Sequence, residues 1–353
     1  MPLRSRLKTA SRALGRAVRR TASATGAALA RMRGRDAAEP GALTEVRAFG
    51  SNPGGLRMLL YAPAHTRAPG APLIVLLHGC GQQATEFART AGWFALADRL
   101  GVPLLLPEQR SENNRGRCFN WFRPDDARRG GGEALSIRQM VAETTRRLHT
   151  DPHRIFLVGL SAGGSMAAAL LAGYPSRFAA GAIVAGLPVG AAGTTLQGLA
   201  RMANAGAAPL PGGWAASVHE AAPPGYAGPW PRISIWHGAL DRTVDPANAQ
   251  SLALQWIDVH GLSPGTFHEV ADGGAHRRAW GDPAAPLVET WIIEGMAHGF
   301  PIDARRAGCE QARWVLDAGI DGPAAMARFF GLDPHARIRV RHDPSPALEA
   351  QAG

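Results

Sequence analysis

Residues 155–164 constrain the fold of this chain more than any other stretch. An apolar run at 155–158 is interrupted by Gly-Leu-Ser-Ala-Gly at 159–163, and an alanine-rich run follows. This order predicts a strand, a sharp turn and a helix, with Ser161 at the apex of the turn. A side chain at Gly159 or Gly163 would collide with the neighbouring strand or helix. The turn would hold the serine hydroxyl at a helix N-terminus, a position typical of a nucleophile.

A serine nucleophile needs a base and an orienting acid, and two later segments offer them. Residues 233–236 read as a strand, and the loop after it carries Asp241 and Asp245. Residues 287–293 read as a further strand that leads into the glycine-flanked His298. Serine, acid and histidine thus occur in the order that accompanies such a turn. We take Asp241 as the acid because it lies nearer the strand end, and Asp245 as the cap of the next helix.

Acyl transfer also needs backbone N–H groups that stabilise the developing oxyanion. Ala162 follows the nucleophile and is expected to supply the first. The second is expected from the loop after the strand at 72–77, at Cys80, with Gly81 as the alternative. His78 stands at the end of that strand and is expected to orient the loop and border the substrate. His237 has the same setting before a glycine and is expected to orient its own loop.

The remaining patterning predicts an α/β fold in three layers around a mostly parallel sheet. Strands are predicted at 57–61, 73–77, 102–106, 155–158, 182–185, 233–236 and 288–293. Helices are predicted at 85–99, 133–148, 161–173, 247–260 and 323–330. Residues 187–230 hold no clear strand and should cross over the active site. Their candidate lid or wall residues are Trp214, Tyr226 and Trp230.

Charge divides the chain into a basic tail and a neutral body. Residues 1–35 hold ten basic residues and no acidic one, which accounts for the whole net charge of +10. The body therefore has no net attraction for nucleic acid. Apolar residues at helical spacing among the tail's arginines favour an amphipathic helix suited to an anionic membrane or granule surface. A solvated extension fits the composition equally well.

The domain boundaries follow from composition. Residues 36–55 are rich in glycine and proline and read as a linker, 56–335 as the catalytic domain, and 336–353 as a second tail. The sequence offers no transmembrane span and no apolar core of a secretory signal.

Several cofactor classes are excluded by what the sequence lacks. Lys8 is the only lysine, so the chain has no Walker lysine, no Ser-Lys dyad and no Schiff-base lysine. It also has no HExxH or paired CxxC for a metal, and no GxGxxG for a dinucleotide. We expect neither cofactor nor metal. Cys80 and Cys118 could pair in an oxidising compartment and leave Cys309 free, or all three could stay reduced.

A set of short motifs gives the chain a specific family resemblance. They are Leu-His-Gly-Cys at 77–80, Pro-Glu-Gln at 107–109, Cys-Phe-Asn-Trp-Phe at 118–122, Gly-Gly-Gly-Glu at 130–133, Gly-Leu-Ser-Ala-Gly-Gly-Ser-Met at 159–166, Tyr-Pro-Ser-Arg-Phe-Ala-Ala at 174–180, His-Gly-x-x-Asp-x-x-Val at 237–244 and Gly-Met-x-His at 295–298. Together they resemble the poly(3-hydroxybutyrate) depolymerase family of esterases, which is related to feruloyl and acetylxylan esterases. The resemblance spans roughly residues 50–331.

This resemblance implies an α/β-hydrolase and an extracellular serine esterase. The lack of a clear signal peptide leaves a cytoplasmic or granule-associated location as the alternative. Its motifs fall on Ser161 as nucleophile, Asp241 as acid, His298 as base, and Cys80 and Ala162 as oxyanion donors. Phe119 and Phe300 stand where the family pattern suggests tryptophan, at the expected substrate cleft.

The expected function is hydrolysis of carboxylic esters through an acyl-enzyme. The expected substrate is poly(3-hydroxybutyrate) or its oligomers, with Trp121 and Phe122 as an apolar wall. Feruloyl, acetylxylan or short-chain carboxylesterase activity is the alternative. A further alternative is a granule- or membrane-binding protein that uses the basic tail.

Overall fold

A computed structural model of the chain describes residues 41–66, 69–205, 212–272 and 274–332. The two predicted tails, 1–35 and 336–353, and residues 36–40 of the predicted linker lie outside the described residues. Among the helices of the described residues, each is too short or too polar to span a bilayer.

Ten of the described strands form one sheet whose middle is parallel. The strands are β1 Leu43–Val46, β2 Arg57–Tyr61, β3 Leu73–Leu77, β4 Leu104–Glu108, β5 Ile155–Leu160, β6 Ala180–Val184, β7 Arg232–Gly238, β8 His268–Asp272, β9 Ala275–Asp282 and β10 Ala285–Ile293. Their order is β1-β2-β4-β3-β5-β6-β7-β10-β9-β8, parallel from β4 to β10 and antiparallel at both edges. Strands β3, β5 and β6 are buried along their whole length, which fits a sheet covered on both faces.

Helices cover the two faces of this sheet. The described helices are α1 Ala84–Thr90, α2 Trp93–Leu100, α3 Pro124–Ala127, α4 Gly132–Leu148, α5 Ala162–Gly173, α6 Thr195–Ala203, α7 Ala216–Ala221, α8 Ala247–Val259 and α9 Gly322–Phe329. One core lies under α4, α5 and α8, with Trp256 fully buried in it. The other lies under α1, α2 and α9 and contains Phe87 and Trp93. The predicted three-layer α/β-hydrolase architecture is therefore confirmed.

A short parallel pair, β11 Phe300–Ile302 and β12 Val315–Asp317, lies outside the main sheet. It follows β10 along the chain. Phe300 N–H donates to the carbonyl oxygen of Trp314 at 2.8 Å, which joins the two strands at their first residues.

The structure corrects two sequence predictions. The single helix expected at 85–99 is two helices, α1 and α2, because Gly92 between them adopts φ 82°. A side chain at Gly92 would also strike the Sγ atom of Cys309. Part of the expected linker belongs to the sheet, since β1 pairs with β2 along Leu43–Val46. Its glycine and proline content hid this edge strand.

The segment 187–230 contains two helices, α6 and α7, and no strand among its described residues. The Trp230 ring makes edge contacts with His219, Tyr226 and Trp256. Trp230 therefore packs against the core beside α8 rather than over the triad as a lid. Tyr226 packs against Trp230, and its hydroxyl donates to the Pro229 carbonyl at 2.6 Å.

Candidate active site

The turn between β5 and α5 holds Ser161 in a strained conformation. Its φ and ψ are 56° and −117°, values that few non-glycine residues adopt. A side chain at Gly159 would overlap the Gly163 carbonyl oxygen, and one at Gly163 would overlap the Leu77 carbonyl oxygen. Both glycines are thus required for the expected reason, and the turn aims the serine side chain away from the sheet.

Three predicted residues meet at the carboxyl edge of the parallel strands. The Ser161 hydroxyl lies 3.0 Å from His298 Nε2, and His298 Nδ1 lies 2.7 Å from Asp241 Oδ2. Each of the three is less than 10% exposed. Since Asp241 can only accept there, the neutral imidazole carries its proton on Nδ1 and offers Nε2 to the hydroxyl. The arrangement can therefore deprotonate the serine and hold the resulting imidazolium.

The Asp241 carboxylate is held charged by four hydrogen-bond donors. Oδ1 accepts from the N–H groups of Thr243 and Val244 at 2.8 and 2.9 Å. Oδ2 accepts from His298 and also from His237 Nε2, which lies 3.1 Å away. Burial alone would raise the pKa of Asp241, but the hydrogen bonds from both histidines and from Val244 outweigh it and lower that pKa well below its ordinary value.

The acid loop and the base loop are joined by their backbones. Ala239 N–H donates to Ile293 O, and Leu240 N–H donates to Met296 O. The two loops pass so closely at Gly238 that a side chain there would overlap the Met296 carbonyl oxygen. This approach brings Asp241 within reach of the histidine 57 residues later in the chain.

Asp245 does not contact the triad. Its Oδ1 accepts from the N–H of Ala247 at the start of α8, as expected for a helix cap. Its Oδ2 accepts from the N–H of Ala205, just after α6. Asp245 therefore ties the crossover segment to α8 and leaves Asp241 as the carboxylate beside the histidine.

The oxyanion loop leaves one of its two candidate donors free. Gly81 N–H is engaged with the Gly116 carbonyl at 2.8 Å. The N–H groups of Cys80 and Ala162 have no backbone acceptor among the described residues. The loop is held by Gln82, whose Oε1 accepts from the Gly79 N–H at 2.8 Å. Cys80 and Ala162 remain available to stabilise a developing negative charge.

A disulfide joins Cys80 to Cys118, with an S–S distance of 2.13 Å. The sequence left this pairing open. It ties the oxyanion loop to the segment that carries Trp121. Cys309 is the free cysteine, and burial raises the pKa of its thiol to about 11, which makes it a poor nucleophile.

His78 has a different position from the one expected of a substrate-binding residue. It is fully buried, and burial lowers the pKa of its ring. Its Nδ1 donates to Gly79 O at 2.8 Å, and its Nε2 accepts from Gln109 N–H at 3.1 Å. Both ring nitrogens are thus engaged with backbone groups. The structure corrects the prediction of substrate contact, because His78 links the ends of β3 and β4 from inside.

Glu133 is a buried carboxylate that the sequence analysis missed. It accepts from Gln109 Nε2 at 2.5 Å, from Asn120 N–H at 2.8 Å and from Asn120 Nδ2 at 2.7 Å. Burial raises the pKa of Glu133 to about 7 despite these donors. The side chain fixes the segment between Gln109 and Trp121. The sequence predicted Glu133 only as the first residue of a helix, and no local pattern indicated its hydrogen bonds to Gln109 and Asn120.

Trp121 and Phe122 are partly exposed and lie just after Cys118, the half-cystine that is bonded to Cys80. Their rings meet edge to face at 5.7 Å between centroids. Helix α6 packs on them through Gly198, where a side chain would come within 3.2 Å of Phe122 and 3.4 Å of Trp121. This pair can form an apolar wall.

Phe119 and Phe300 do not line the cleft as the family pattern suggested. Both are fully buried. Phe119 packs against the His78 ring at 5.0 Å, and Phe300 packs against Phe87 at 5.3 Å.

The aromatic residue that does contact the histidine is Trp314, which no sequence pattern singled out. Its ring meets the His298 ring edge to face at 5.4 Å between centroids. Among the described residues, no group of three or more His, Cys, Asp or Glu side chains is placed to hold a metal ion.

The chain matches known esterases in sequence and fold. A family model described as esterase PHB depolymerase matches residues 56–278. Poly(3-hydroxyalkanoate) depolymerase C of Paucimonas lemoignei is 39% identical over 296 residues, which cover 82% of this chain and 70% of that protein. Feruloyl esterase B of Talaromyces stipitatus is 35% identical over 271 residues, which cover 74% of this chain and 73% of that protein. The solved structure of an acetyl xylan esterase from Aspergillus awamori has a TM-score of 0.70 at 23% identity, over 83% of this chain and 100% of that one.

Proposed function

The chain belongs to the PHB depolymerase family of esterases, and we propose that it cleaves poly(3-hydroxybutyrate) or its oligomers with Ser161 as nucleophile. Hydrolysis of carboxylic esters follows from the family. The observation that carries the mechanism is the pair of hydrogen bonds that connects Ser161, His298 and Asp241. The depolymerase relative supports the polyester substrate.

In the first step, His298 Nε2 takes the proton of the Ser161 hydroxyl as its oxygen attacks the ester carbonyl. The negative charge on the carbonyl oxygen is stabilised by the N–H groups of Cys80 and Ala162. Asp241 holds the imidazolium that forms. The C–O bond to the alcohol then breaks, and His298 gives its proton to the departing oxygen.

In the second step, water takes the place of the alcohol. His298 removes a proton from the water as it attacks the acyl group on Ser161. The same two N–H groups stabilise the second tetrahedral intermediate. Its collapse releases the acid and returns the proton to the serine oxygen.

An apolar surface around the triad supports a polyester substrate. Trp121 and Phe122, just after the half-cystine Cys118, offer it an apolar wall. Three of the most exposed large apolar side chains are near this wall or the acid loop: Leu196 and Leu199 on α6, and Leu240 next to Asp241. An exposed apolar patch beside a catalytic centre is suited to contact with an aliphatic polymer.

Esterase activity on plant-wall substrates is the second candidate. The relative from Talaromyces stipitatus is a feruloyl esterase, and an acetylxylan esterase of Coprinopsis cinerea is 33% identical over 269 residues, which cover 74% of this chain and 70% of that protein. Both substrates are esters that the same serine mechanism would cleave.

The basic segment at 1–35 supports a further proposal, that the protein adheres to an anionic membrane or granule surface. Its ten positive charges without an acidic residue favour such a surface. This adhesion would bring the esterase to its substrate.

The deciding experiment compares wild type with Ser161→Ala on p-nitrophenyl butyrate and on a suspension of amorphous poly(3-hydroxybutyrate). Loss of the nucleophile should lower kcat by a factor on the order of 10⁴ or more. Ser176→Ala is the matched control, because Ser176 is an exposed serine on the short helical turn Pro175–Arg177. Its turnover should equal that of wild type.

The polymer assay separates the substrate candidates. Clearing of the suspension by wild type but not by Ser161→Ala supports the depolymerase proposal. Turnover of acetylated xylan or methyl ferulate without clearing would replace it with the plant-wall candidate. Full turnover by Ser161→Ala would overturn the proposed mechanism.

A further inference from the structure

The turn before β12 places Trp314 beside His298 and Arg313 beside the loop that carries Cys80. Ala312 and Val315 exchange two backbone hydrogen bonds at 3.1 and 3.0 Å, so Arg313 and Trp314 are the central residues of a tight turn. Trp314 has φ 63°, in a turn position that ordinarily favours glycine. A bulky residue in this conformation is retained only where the surrounding structure imposes it, a condition typical of binding sites.

Two contacts fix this turn to the active site. Phe300 N–H, two residues after His298, donates to Trp314 O at 2.8 Å. Gln82 Nε2, on the oxyanion loop, donates to Arg313 O at 2.8 Å. The turn is therefore connected both to the base loop and to the loop that carries the proposed oxyanion donor Cys80.

The Arg313 guanidinium is an exposed cation between these two loops. It lies over the Trp314 ring at 5.5 Å from the centroid. On the other side it faces Gly81, where an added side-chain carbon would be 3.2 Å from Arg313 Nη1. Nearby Arg305 and Arg306 pair with Asp303 and Asp321. Arg313 has no ion pair with any carboxylate of the described residues.

The chemistry of the reaction determines what this cation would meet. His298 gives its proton to the departing alcohol, so the alcohol component of the ester lies close to the His298 ring. Trp314 contacts that ring, and the Arg313 guanidinium lies over the Trp314 ring. In the last ester of a hydroxy-acid oligomer, the alcohol component bears the free carboxylate of the chain end. A planar guanidinium matches a carboxylate with two parallel hydrogen bonds.

We propose that Arg313, stacked on Trp314, binds the free carboxylate of the alcohol component of the substrate. The preferred substrates are then hydroxy-acid oligomers cleaved at the ester nearest their carboxyl end. This inference rests on the proposed function, since it assumes that Ser161 and His298 cleave a hydroxy-acid ester.

The test uses the linear dimer of 3-hydroxybutyrate as the free acid and as its methyl ester. The two substrates share the ester between the two units and differ in the terminal charge. Cleavage of that ester in the methyl-ester substrate is followed as the initial release of methyl 3-hydroxybutyrate, because hydrolysis of the methyl ester itself releases methanol instead. Wild type should have the higher kcat/KM for the free acid. In Arg313→Gln, the ratio of kcat/KM for acid over methyl ester should fall by about fivefold, through KM rather than kcat. Arg313→Lys should restore part of the ratio.

Arg154→Gln is the matched control, because Arg154 is an exposed arginine immediately before β5, at the opposite edge of the sheet. Its ratio should equal that of wild type. An unchanged ratio in Arg313→Gln would overturn the inference, whether both rates fall together or neither changes. Failure of the proposed function is detected separately, with the wild-type protein. In that case p-nitrophenyl butyrate would be cleaved and neither dimer would be, and the proposed carboxylate site would be overturned as well.

Discussion

The Asp241 carboxylate is surrounded by donors from two histidines and two backbone N–H groups. His237, the next-to-last residue of β7, supplies one of these donors. Its Nε2 also lies 3.0 Å from Val244 O. Its Nδ1 is buried without a partner among the described residues, which fits an unprotonated nitrogen. His237 is thus a positioning residue that keeps Asp241 charged and aimed at His298.

Replacement of His237 should make the protein more sensitive to acid. The folded-state pKa of Asp241 lies below its ordinary value of 3.8, so its stabilising contribution is present above that pH and is lost as pH falls through the lower folded value. His237→Ala removes a buried donor to a charged group and should lower the free energy of unfolding by about 2 kcal/mol at neutral pH. Acid unfolding, followed by circular dichroism, should begin at a higher pH.

Two variants check this interpretation. His237→Gln can keep a donor near the position of Nε2 and should recover part of the acid resistance. His153→Ala, on an exposed turn, should behave as wild type. An unfolding midpoint unchanged in His237→Ala would contradict the role given to this histidine.

Glu133 should give stability the opposite pH dependence. Burial raises the pKa of Glu133 from 4.5 to about 7, so between these values the folded protein holds a proton that the unfolded chain has released. This contribution is complete below pH 4.5 and is lost as pH rises through about 7. The stability advantage of wild type over Glu133→Gln should therefore shrink by roughly 2–3 kcal/mol between pH 4.5 and 7.5.

Denaturant titrations at both pH values measure this difference. Glu143→Gln, on the same helix, is the control because ion pairs with Arg146 and Arg147 lower the pKa of Glu143. Its effect on stability should be nearly constant over the same range. A constant effect of Glu133→Gln as well would show that Glu133 does not titrate near neutrality.

At the scale of elements, the site is built from loops that follow strands. Local patterns predicted most of these strands, including β2 and β3 with the bounds observed. Glycine is needed at 159, 163 and 238 because two backbone segments pass too closely there for a side chain. The break between α1 and α2 was missed although a local signal marks it, since Gly92 adopts φ 82° between them and a left-handed glycine commonly ends a helix.

The disulfide between Cys80 and Cys118 should stabilise both the fold and the oxyanion loop. Its half-cystines are 38 residues apart, and closing a loop of that length stabilises a protein by about 3–4 kcal/mol. Cys118→Ser should lower the free energy of unfolding by that amount, measured by denaturant titration. It should also lower kcat on p-nitrophenyl butyrate, because the loop that carries Cys80 loses a tether.

Cys309→Ser controls for removal of a cysteine as such. Its thiol forms no disulfide, and the variant should have the turnover of wild type. Equal stability of Cys118→Ser and wild type under oxidising conditions would show that the bond is not formed in solution.

At the scale of the molecule, the parallel sheet gathers residues that are far apart in the chain. Ser161 and His298 are 137 residues apart and meet because β5 and β10 end at the same edge of the sheet. The net charge of the chain lies in another part of the sequence, since the excess of ten positive charges is in residues 1–35. Catalysis and surface adhesion should therefore be separable.

Deletion of residues 1–35 should leave turnover of p-nitrophenyl butyrate unchanged and abolish binding to anionic lipid vesicles. Binding of the full chain should weaken as salt rises, because the attraction is electrostatic. Sedimentation with anionic and with zwitterionic vesicles measures this. Undiminished binding after the deletion would assign adhesion to residues 36–353.

The sequence alone determined the fold class, the esterase family and the identity of the three residues that meet at the sheet edge. It could do so because the elbow is a local pattern, and because residues that follow parallel strands are brought to one edge. Only the tertiary structure decided that the Gly81 N–H is engaged and the Cys80 N–H free, that Glu133 and His78 are buried, and that Trp314 stands beside His298. These facts depend on contacts between loops distant in the chain, which no local pattern records.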